Sequence, residues 1–500
     1  MSSSLYFLAI DLGTTSAKVL IVQSDGIVIN RARAEFDLQH PQPTWAEVDA
    51  NDWWDTVKTL IHHILDESEI QAKEIAAIGL SGLMHALVPV DQNGNALDRP
   101  MLWMDQRCKP QRDWMITHFG KRLEAITGGH PSTTTSSPKL RWLVENRPEI
   151  VDRTHYFLLA KDFIRFKLTG KFATDVSDSR GTSLLDKETG GWSEVLLEEI
   201  IGVSARKMPP IRQSTEIAGY LTESAAETTG LLKDTPVVVG ASDVTSTLIG
   251  GNAYIPNRIY LYMGTAAWMV RSLPHREGVN EMNRQWLGAT ATLGASMKWY
   301  KDVLGESEVG YASEAGVDAY QRLEQLAAEC APGSAGLIFL PHLMGERAPK
   351  HNPDAKGGYC GLTLAHRKPH LIRAIFEGNA YLIRHIIESN DGVDGEIPIF
   401  VMGGGAQSRL WCEILTNVCR RRILIPRELE CGGLGAAMIA AVGIGHYSSF
   451  SEVGSAWVEV ADEINPDENL MEIYEHGYQL YREIDAALEP IYIRTATMKA

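Results

Sequence analysis

Apolar residues fill positions Leu5 to Ile10, a carboxylate follows at Asp11, Gly13-Thr14-Thr15-Ser16 interrupts the run, and Val19 to Val22 resume it. This pattern predicts two strands joined by a tight turn. A second copy runs from Arg258 to Val270, RIYLYMGTAAWMV, with Gly264-Thr265 between two apolar runs. Two such hairpins, one in each half of the chain, predict two related halves. Ile27 to Ile29 and Ala32 to Phe36 extend the first sheet beyond the Asp25-Gly26 turn. Trp53, Val57, Leu60, Ile61 and Ile64 recur at helical spacing behind a cap at Asn51 or Asp52. Glu74 to Leu80 reads as a buried strand, 139–145 and 157–168 as helices, and PVVVGAS, from Pro236, as a buried strand running into Asp243. Ile399 to Met402 is a strand, followed by a helix from near Ser408, and Leu470, Ile473, Tyr474, Tyr481, Ile484 and Leu488 mark a docked C-terminal helix. Strands alternating with helices place the chain in the α/β class.

Composition narrows the partners. With 500 residues and 44% hydrophobic content the chain can bury two sizeable cores, and two large domains are expected. Its formal charge of −16 disfavours nonspecific binding to nucleic acid or to an anionic membrane. The segment MSSSLYFLAID has no basic stretch before its short apolar run, and no apolar stretch is long enough to span a bilayer, so a cytoplasmic protein is expected. Six cysteines are scattered without CxxC spacing, which predicts free thiols, and Cys412 and Cys419 read as core residues rather than zinc ligands. Assembly as a homodimer stays open.

Several polar groups interrupt this apolar framework. In the first turn, Gly13 lets backbone N–H groups approach an anion, Thr14 and Thr15 add hydroxyls, Lys18 adds a positive charge, and Asp11 is placed to hold a hydrated cation. The competing reading is a polar hairpin turn. Met84-His85 lies just beyond the strand ending at Leu80, where ligands meet α/β sheets, although a histidine bonded inside the fold fits as well. Trp103, Asp105 and Arg107 alternate as a trio that can stack on and hydrogen-bond a polyol; a structural Asp105–Arg107 pair is the alternative. Asp243 reads locally either as a general base or as a helix N-cap, and its place between the two hairpins favours the base. Gly403-Gly404-Gly405 forms a strand-to-helix turn suited to a nucleotide, whereas the glycines from Gly432 to Gly435 suit close helix packing.

SPKLRWLVEN, from Ser137 to Asn146, and GGYCGLTLAHRKPHLIRAIFE, from Gly357 to Glu377, resemble the two signatures of the FGGY carbohydrate kinases, although Thr134 departs from the first. That resemblance covers nearly the whole chain. It implies two ribonuclease H-like domains, as in actin, hexokinase and the Hsp70 ATPase domain, flanking a deep cleft, with sugar bound by 1–250 and ATP by 251–500. It further implies that Asp243 is the base, with Asp11 and Asp243 near Mg²⁺. Thr14, Thr15, Lys18, Gly264 and Thr265 would lie around the phosphates, and Gly294, Lys298, Gly404, Gly405 and Ser408 along the nucleotide. Met84, His85, Trp103, Asp105 and Trp268 would line the sugar.

Within that family, Met84-His85 followed by Trp-x-Asp-x-Arg looks like xylulokinases, while Gly240 to Asp243 and Gly345 to Pro349 look nearer to gluconokinases. Xylulose is therefore the first expectation, gluconate the second, and another pentulose or polyol the third. Glycerol kinases generally carry Arg-Glu at the Met84-His85 position, which disfavours glycerol. A different class also fits the fold: an actin-like ATP switch without a sugar.

Overall fold

The computed structural model describes residues 5–274, 282–393 and 396–496; residues 1–4 of the N-terminal segment read above lie outside them. The chain forms two compact units, Met1–Asn252 with Cys431–Trp457, and Ala253–Glu430 with Val458–Ala500.

In the first unit the predicted hairpin is present as β1 (Tyr6–Leu12) and β2 (Ser16–Gln23), extended by β3 (Val28–Glu35). These three strands are antiparallel neighbours. On its other side β1 pairs in parallel with β4 (Ile75–Gly82). The sheet continues through β5 (Ile217–Tyr220) and β6 (Pro236–Val238), with β6 parallel to β4 and antiparallel to β5. The short β7 (Ala241–Ser242) also pairs in parallel with β4. Helix α1 (Ala50–Asp66) buries all five apolar residues that its spacing singled out. Its cap is Asp49 rather than Asn51 or Asp52, because the Asp49 carboxylate reaches back to accept from the Asn51 N–H at 2.9 Å. Next come α2 (Ser136–Asn146), α3 (Ala160–Thr169), α4 (Val176–Gly181) and α5 (Asp243–Gly250). The helix expected over 157–168 is divided: Tyr156–Leu158 pairs as a strand and helix begins only at Ala160.

The second unit repeats this order of strands apart from β7, which has no counterpart among the described residues of its six-stranded sheet. Its hairpin, β8 (Ile259–Met263) and β9 (Ala267–Ser272), continues antiparallel into β10 (Arg284–Ala289). On the other side β8 runs parallel to β11 (Ile399–Met402), which runs parallel to β12 (Ile423–Pro426), and β13 (Val460–Ile464) closes the edge antiparallel. Both sheets thus share one order of directions, as the paired hairpins predict. Helices α6 (Gly294–Val303), α7 (Lys368–Glu388) and α8 (Arg409–Cys419) belong to this unit. Glu377, the last residue of the second signature, is buried in α7, where it accepts from Gly333 N, Ser334 Oγ and Arg373 Nε at 2.8–2.9 Å. This part of the motif secures the fold.

A single cut at 250/251 does not describe the units. Helix α9 (Cys431–Gly443) and the residues to Trp457 pack in the first unit, and the chain re-enters the second through β13 and α10 (Met471–Ala496). Small residues explain this. A Cβ at Gly435 would lie 1.8 Å from the Ser246 carbonyl oxygen of α5, so the two helices touch backbone to backbone. Gly435→Ala is expected to force them apart and lower stability by about 1–3 kcal/mol, measured by urea unfolding. All six cysteines are free, and Cys412 and Cys419 are buried as expected. Among the described residues no helix is long and apolar enough to cross a membrane.

Candidate active site

The parallel strands β1, β4 and β7 end side by side. Asp11 pairs in register with Ser81, and Ser81 with Ala241, which sets Asp11 and Asp243 at one edge of the first sheet. Ser81 Oγ donates to Asp11 Oδ1 at 2.7 Å and fixes that carboxylate. Asp11 and Lys18 are cross-strand partners, so both side chains stand on the same face of the hairpin. The turn between them is closed by Gly13 N donating to Ser16 O at 2.9 Å. Trp103 Nε1 donates to Thr14 Oγ1 at 3.0 Å, tying the 103–107 segment to the turn.

Asp243 is the first residue of α5 and is half-buried. The N-cap is Ser242, whose hydroxyl accepts from Thr245 N, so the capping role that competed for Asp243 belongs to its neighbour. Burial raises the Asp243 carboxyl to about 7; an N–H donated by Val244 opposes this, and the Asp11 charge adds to it. Two carboxylates near enough to repel each other are a donor set suited to a hard divalent cation.

Behind Asp243 lies a buried ionic network that the sequence reading missed. Lys161 Nζ contacts Asp162, Asp175 and Asp178 at 2.8, 2.9 and 3.0 Å, all with fully buried side chains. Asp175 Oδ2 accepts from Ser177 Oγ at 2.5 Å, and Ser177 Oγ accepts from Ser242 N at 3.0 Å. The backbone next to Asp243 is therefore anchored through two hydrogen bonds to a buried ion cluster. Charged residues inside an otherwise apolar stretch, Lys161-Asp162 before Phe163-Ile164, were the available signal.

Met84 and His85 follow β4, and the His85 carbonyl accepts from Ser136 Oγ at 3.2 Å and Lys139 Nζ at 3.5 Å. Residues of the first signature thus shape this loop from behind. Burial lowers the Lys139 ammonium to about 7, despite opposing attraction from Cys108 and Asp105. Gly181, at the end of α4, comes so close that a Cβ there would lie 2.1 Å from Met84 Cε and 3.3 Å from His85 Cε1. Asp105 is a correction. It is fully buried, accepts from Ala46 N at 2.7 Å, and is clasped by Arg107, which also reaches Glu47 at 2.6 Å. Both Asp105 oxygens are thus engaged inside the fold, away from the sugar-facing place expected of it.

In the second unit the structure gathers most of the predicted nucleotide residues. Gly294 N donates to Gly264 O at 3.0 Å, and Leu293 N and Ala295 N donate to Thr265 O at 2.9 and 3.0 Å, so α6 starts on the Gly264–Thr265 turn. The Gly403–Gly405 turn abuts the same hairpin: a Cβ at Gly405 would lie 2.9 Å from Met263 Cβ, whereas one at Gly404 meets nothing within 4 Å. Ser408 caps α8 by accepting from Trp411 N at 3.2 Å. Lys298 stands one turn into α6, with Asp302 2.5 Å away. Trp268 lies on β9 with its ring stacked between Tyr262 and Trp286, in the second unit and not in the one holding Met84, His85 and Trp103.

The glycines read as helix packing include one that also borders the site. Gly432, at the start of α9, leaves room for Asp11, since a Cβ there would lie 2.8 Å from Asp11 Oδ2. A helix N-terminus beside a carboxylate is also electrostatically favourable.

Comparison with known proteins gives one pattern. Residues 6–250 match the N-terminal domain of the FGGY family of carbohydrate kinases, and residues 263–444 match its C-terminal domain. The chain is 29% identical to the xylulose kinase of Bacillus subtilis (strain 168) over 491 residues, 96% of each chain. Its structure is similar to that of a gluconate kinase from Lactobacillus acidophilus, with TM-score 0.84 and 26% identity, covering 99% of this chain and 100% of the other. It is similar also to ligand-bound xylulose kinase from Lactobacillus acidophilus, with TM-score 0.83 and 26% identity, covering 98% and 99%.

Proposed function

Since this chain belongs to the FGGY family of carbohydrate kinases, and is thus an ATP-dependent sugar kinase, we propose that it phosphorylates D-xylulose to xylulose 5-phosphate with Asp243 as the base. The observation that carries this reading is Asp243 itself, half-buried at the sheet edge where Asp11 and the Gly13–Thr15 turn end. The sugar hydroxyl attacks the γ-phosphorus, a P–O bond forms, the bond to the β-phosphate oxygen breaks, ADP leaves, and the hydroxyl proton passes to Asp243. Most of the acceleration in such transfers comes from positioning and charge stabilisation.

The chain's own groups suit these tasks. Thr14, Thr15, Lys18 and the N–H groups of the first turn are donors for the transferring phosphoryl oxygens. Met84, His85 and Trp103 are the sugar-facing set of the first unit. Gly264, Thr265, Gly294, Lys298, Gly404, Gly405 and Ser408 are the nucleotide set of the second, where open space at Gly404 suits a flat base against the backbone. Asp11 and Asp243 are the residues that would hold Mg²⁺, which when bound supplies neutralisation of phosphate charge.

A second reading, a sugar acid such as gluconate, is favoured by Arg180. This exposed residue in the last turn of α4 precedes Gly181, which packs on Met84 and His85. A guanidinium there suits a carboxylate. The deciding experiment is ADP release with ATP and Mg²⁺ over pentuloses, hexuloses, gluconate and glycerol. Xylulose is expected to give the largest kcat/KM. A gluconate preference that Arg180→Leu lowers at least about tenfold would support the second reading. Sugar-independent ADP release would overturn both.

A further inference from the structure

A second polar cluster lies apart from the residues used above. Beyond the strand Ile338–Leu340, the loop 341–349 carries His342 and Glu346, and α10 brings Asp485 to them. One ligand atom from each lies within 4.8 Å of the others, and among the described residues this is the one such group of His, Cys, Asp or Glu. All three residues are buried, His342 at 0%, Glu346 and Asp485 at 4% exposure. His342 Nε2 stands 3.1 Å from Asp485 Oδ1. His342 Nδ1 and Glu346 Oε1 are buried without a hydrogen-bond partner. The backbone of Glu346 is fixed by reciprocal bonds with Asn352 at 2.8 and 3.0 Å.

Buried polar atoms in folded proteins nearly always have partners, so an orphaned carboxylate oxygen on a residue grouped with a buried imidazole and a second buried carboxylate marks a missing positive group. We propose that His342, Glu346 and Asp485 form a binding site for a divalent transition metal of the Zn²⁺ or Mn²⁺ class, distinct from Asp11 and Asp243. A neutral imidazole nitrogen and two carboxylates match the ligand types and charge that such an ion takes. Ligands about 2.0–2.2 Å from a tetrahedral ion lie roughly 3.3–3.6 Å apart, which small side-chain rotations achieve from the present spacing. Lys350, 3.9 Å from Asp485 Oδ2 and 3.1 Å from Glu489 Oε2, is 42% exposed and remains at the rim. The ion would clasp the loop to α10. Thr292 Oγ1 donates to the Pro341 carbonyl, so the clasp would also steady the start of α6.

The test uses the full chain, stripped with EDTA and free of nucleotide. Calorimetric titration with Zn²⁺ is expected to show one ion per chain and an unfolding temperature that rises with metal. Co²⁺ is expected to give the visible absorption of a low-symmetry site. Glu346→Gln and Asp485→Asn, each close in shape to the original, should weaken Zn²⁺ at least about tenfold. The double variant Asp11→Asn/Asp243→Asn should bind as the wild type does. Absence of stoichiometric binding by the wild type, or wild-type affinity in Glu346→Gln and Asp485→Asn, would overturn the site. So would loss of binding in the Asp11/Asp243 double variant.

Discussion

Asp243→Asn is expected to lower kcat by about 10²–10⁴-fold while leaving ADP affinity nearly intact. The side chain keeps its shape but loses the ability to take a proton, and the predicted nucleotide residues lie mainly in the second unit, so binding and transfer should separate. Single-turnover kinetics and ADP titration check this; wild-type-like turnover would remove the catalytic assignment. A pH effect accompanies it. Burial, with a contribution from Asp11, raises the Asp243 carboxyl to about 7, and only the ionised form accepts a proton, so kcat/KM should fall as pH drops through about 7. Mg²⁺ on the same oxygens would move that limb to lower pH. Stability runs the other way. The folded carboxyl binds its proton more tightly than the unfolded one, whose pKa is about 3.9, so its contribution to folding is greatest below about 4 and is lost as pH rises through about 7. Asp243→Asn should therefore flatten the fall in stability between pH 5 and pH 8, as read by urea unfolding.

Lys161→Met is expected to cost about 3–5 kcal/mol of stability, since it leaves Asp175 and Asp178 buried without their shared cation and Asp162 with Arg165. The ammonium is fully buried, which alone would lower its pKa; attraction from Asp162, Asp175 and Asp178 outweighs this and holds it above its ordinary value. Burial already pushes Asp178 well above the usual carboxylate range even with Lys161 opposing it. Without Lys161 the carboxyls can escape only by protonation, so the loss should be larger at pH 8 than at pH 6. Urea unfolding at both values tests the sign. Because Asp175 holds Ser177, which holds Ser242, turnover per folded molecule should fall as well. An equal loss at both pH values would mean the cluster is not compensated as described.

The sequence alone settled what depends on local pattern. Two hairpins with a Gly-Thr turn, apolar periodicity in α1 and α10, and two long motifs were enough for the α/β class, the repeat and the family, because backbone geometry and one-sided burial write themselves at short spacing. The Gly264-Thr265 and Gly403-Gly405 turns were legible as turns because each follows an apolar strand, whereas their nucleotide role, like that of Gly294, came from the family resemblance. Tertiary structure decided the remainder. It alone engaged both oxygens of Asp105 inside the fold, moved the cap from Asp243 to Ser242, and brought Asp175 and Asp178 to Lys161 beside the adjacent Asp162. It sent α9 back to the first unit, where its glycines meet α5 and Asp11. Those outcomes depend on which buried charges and bare backbones meet across long separations in the chain, and a hydrophobic pattern specifies which face is buried without naming what it is buried against.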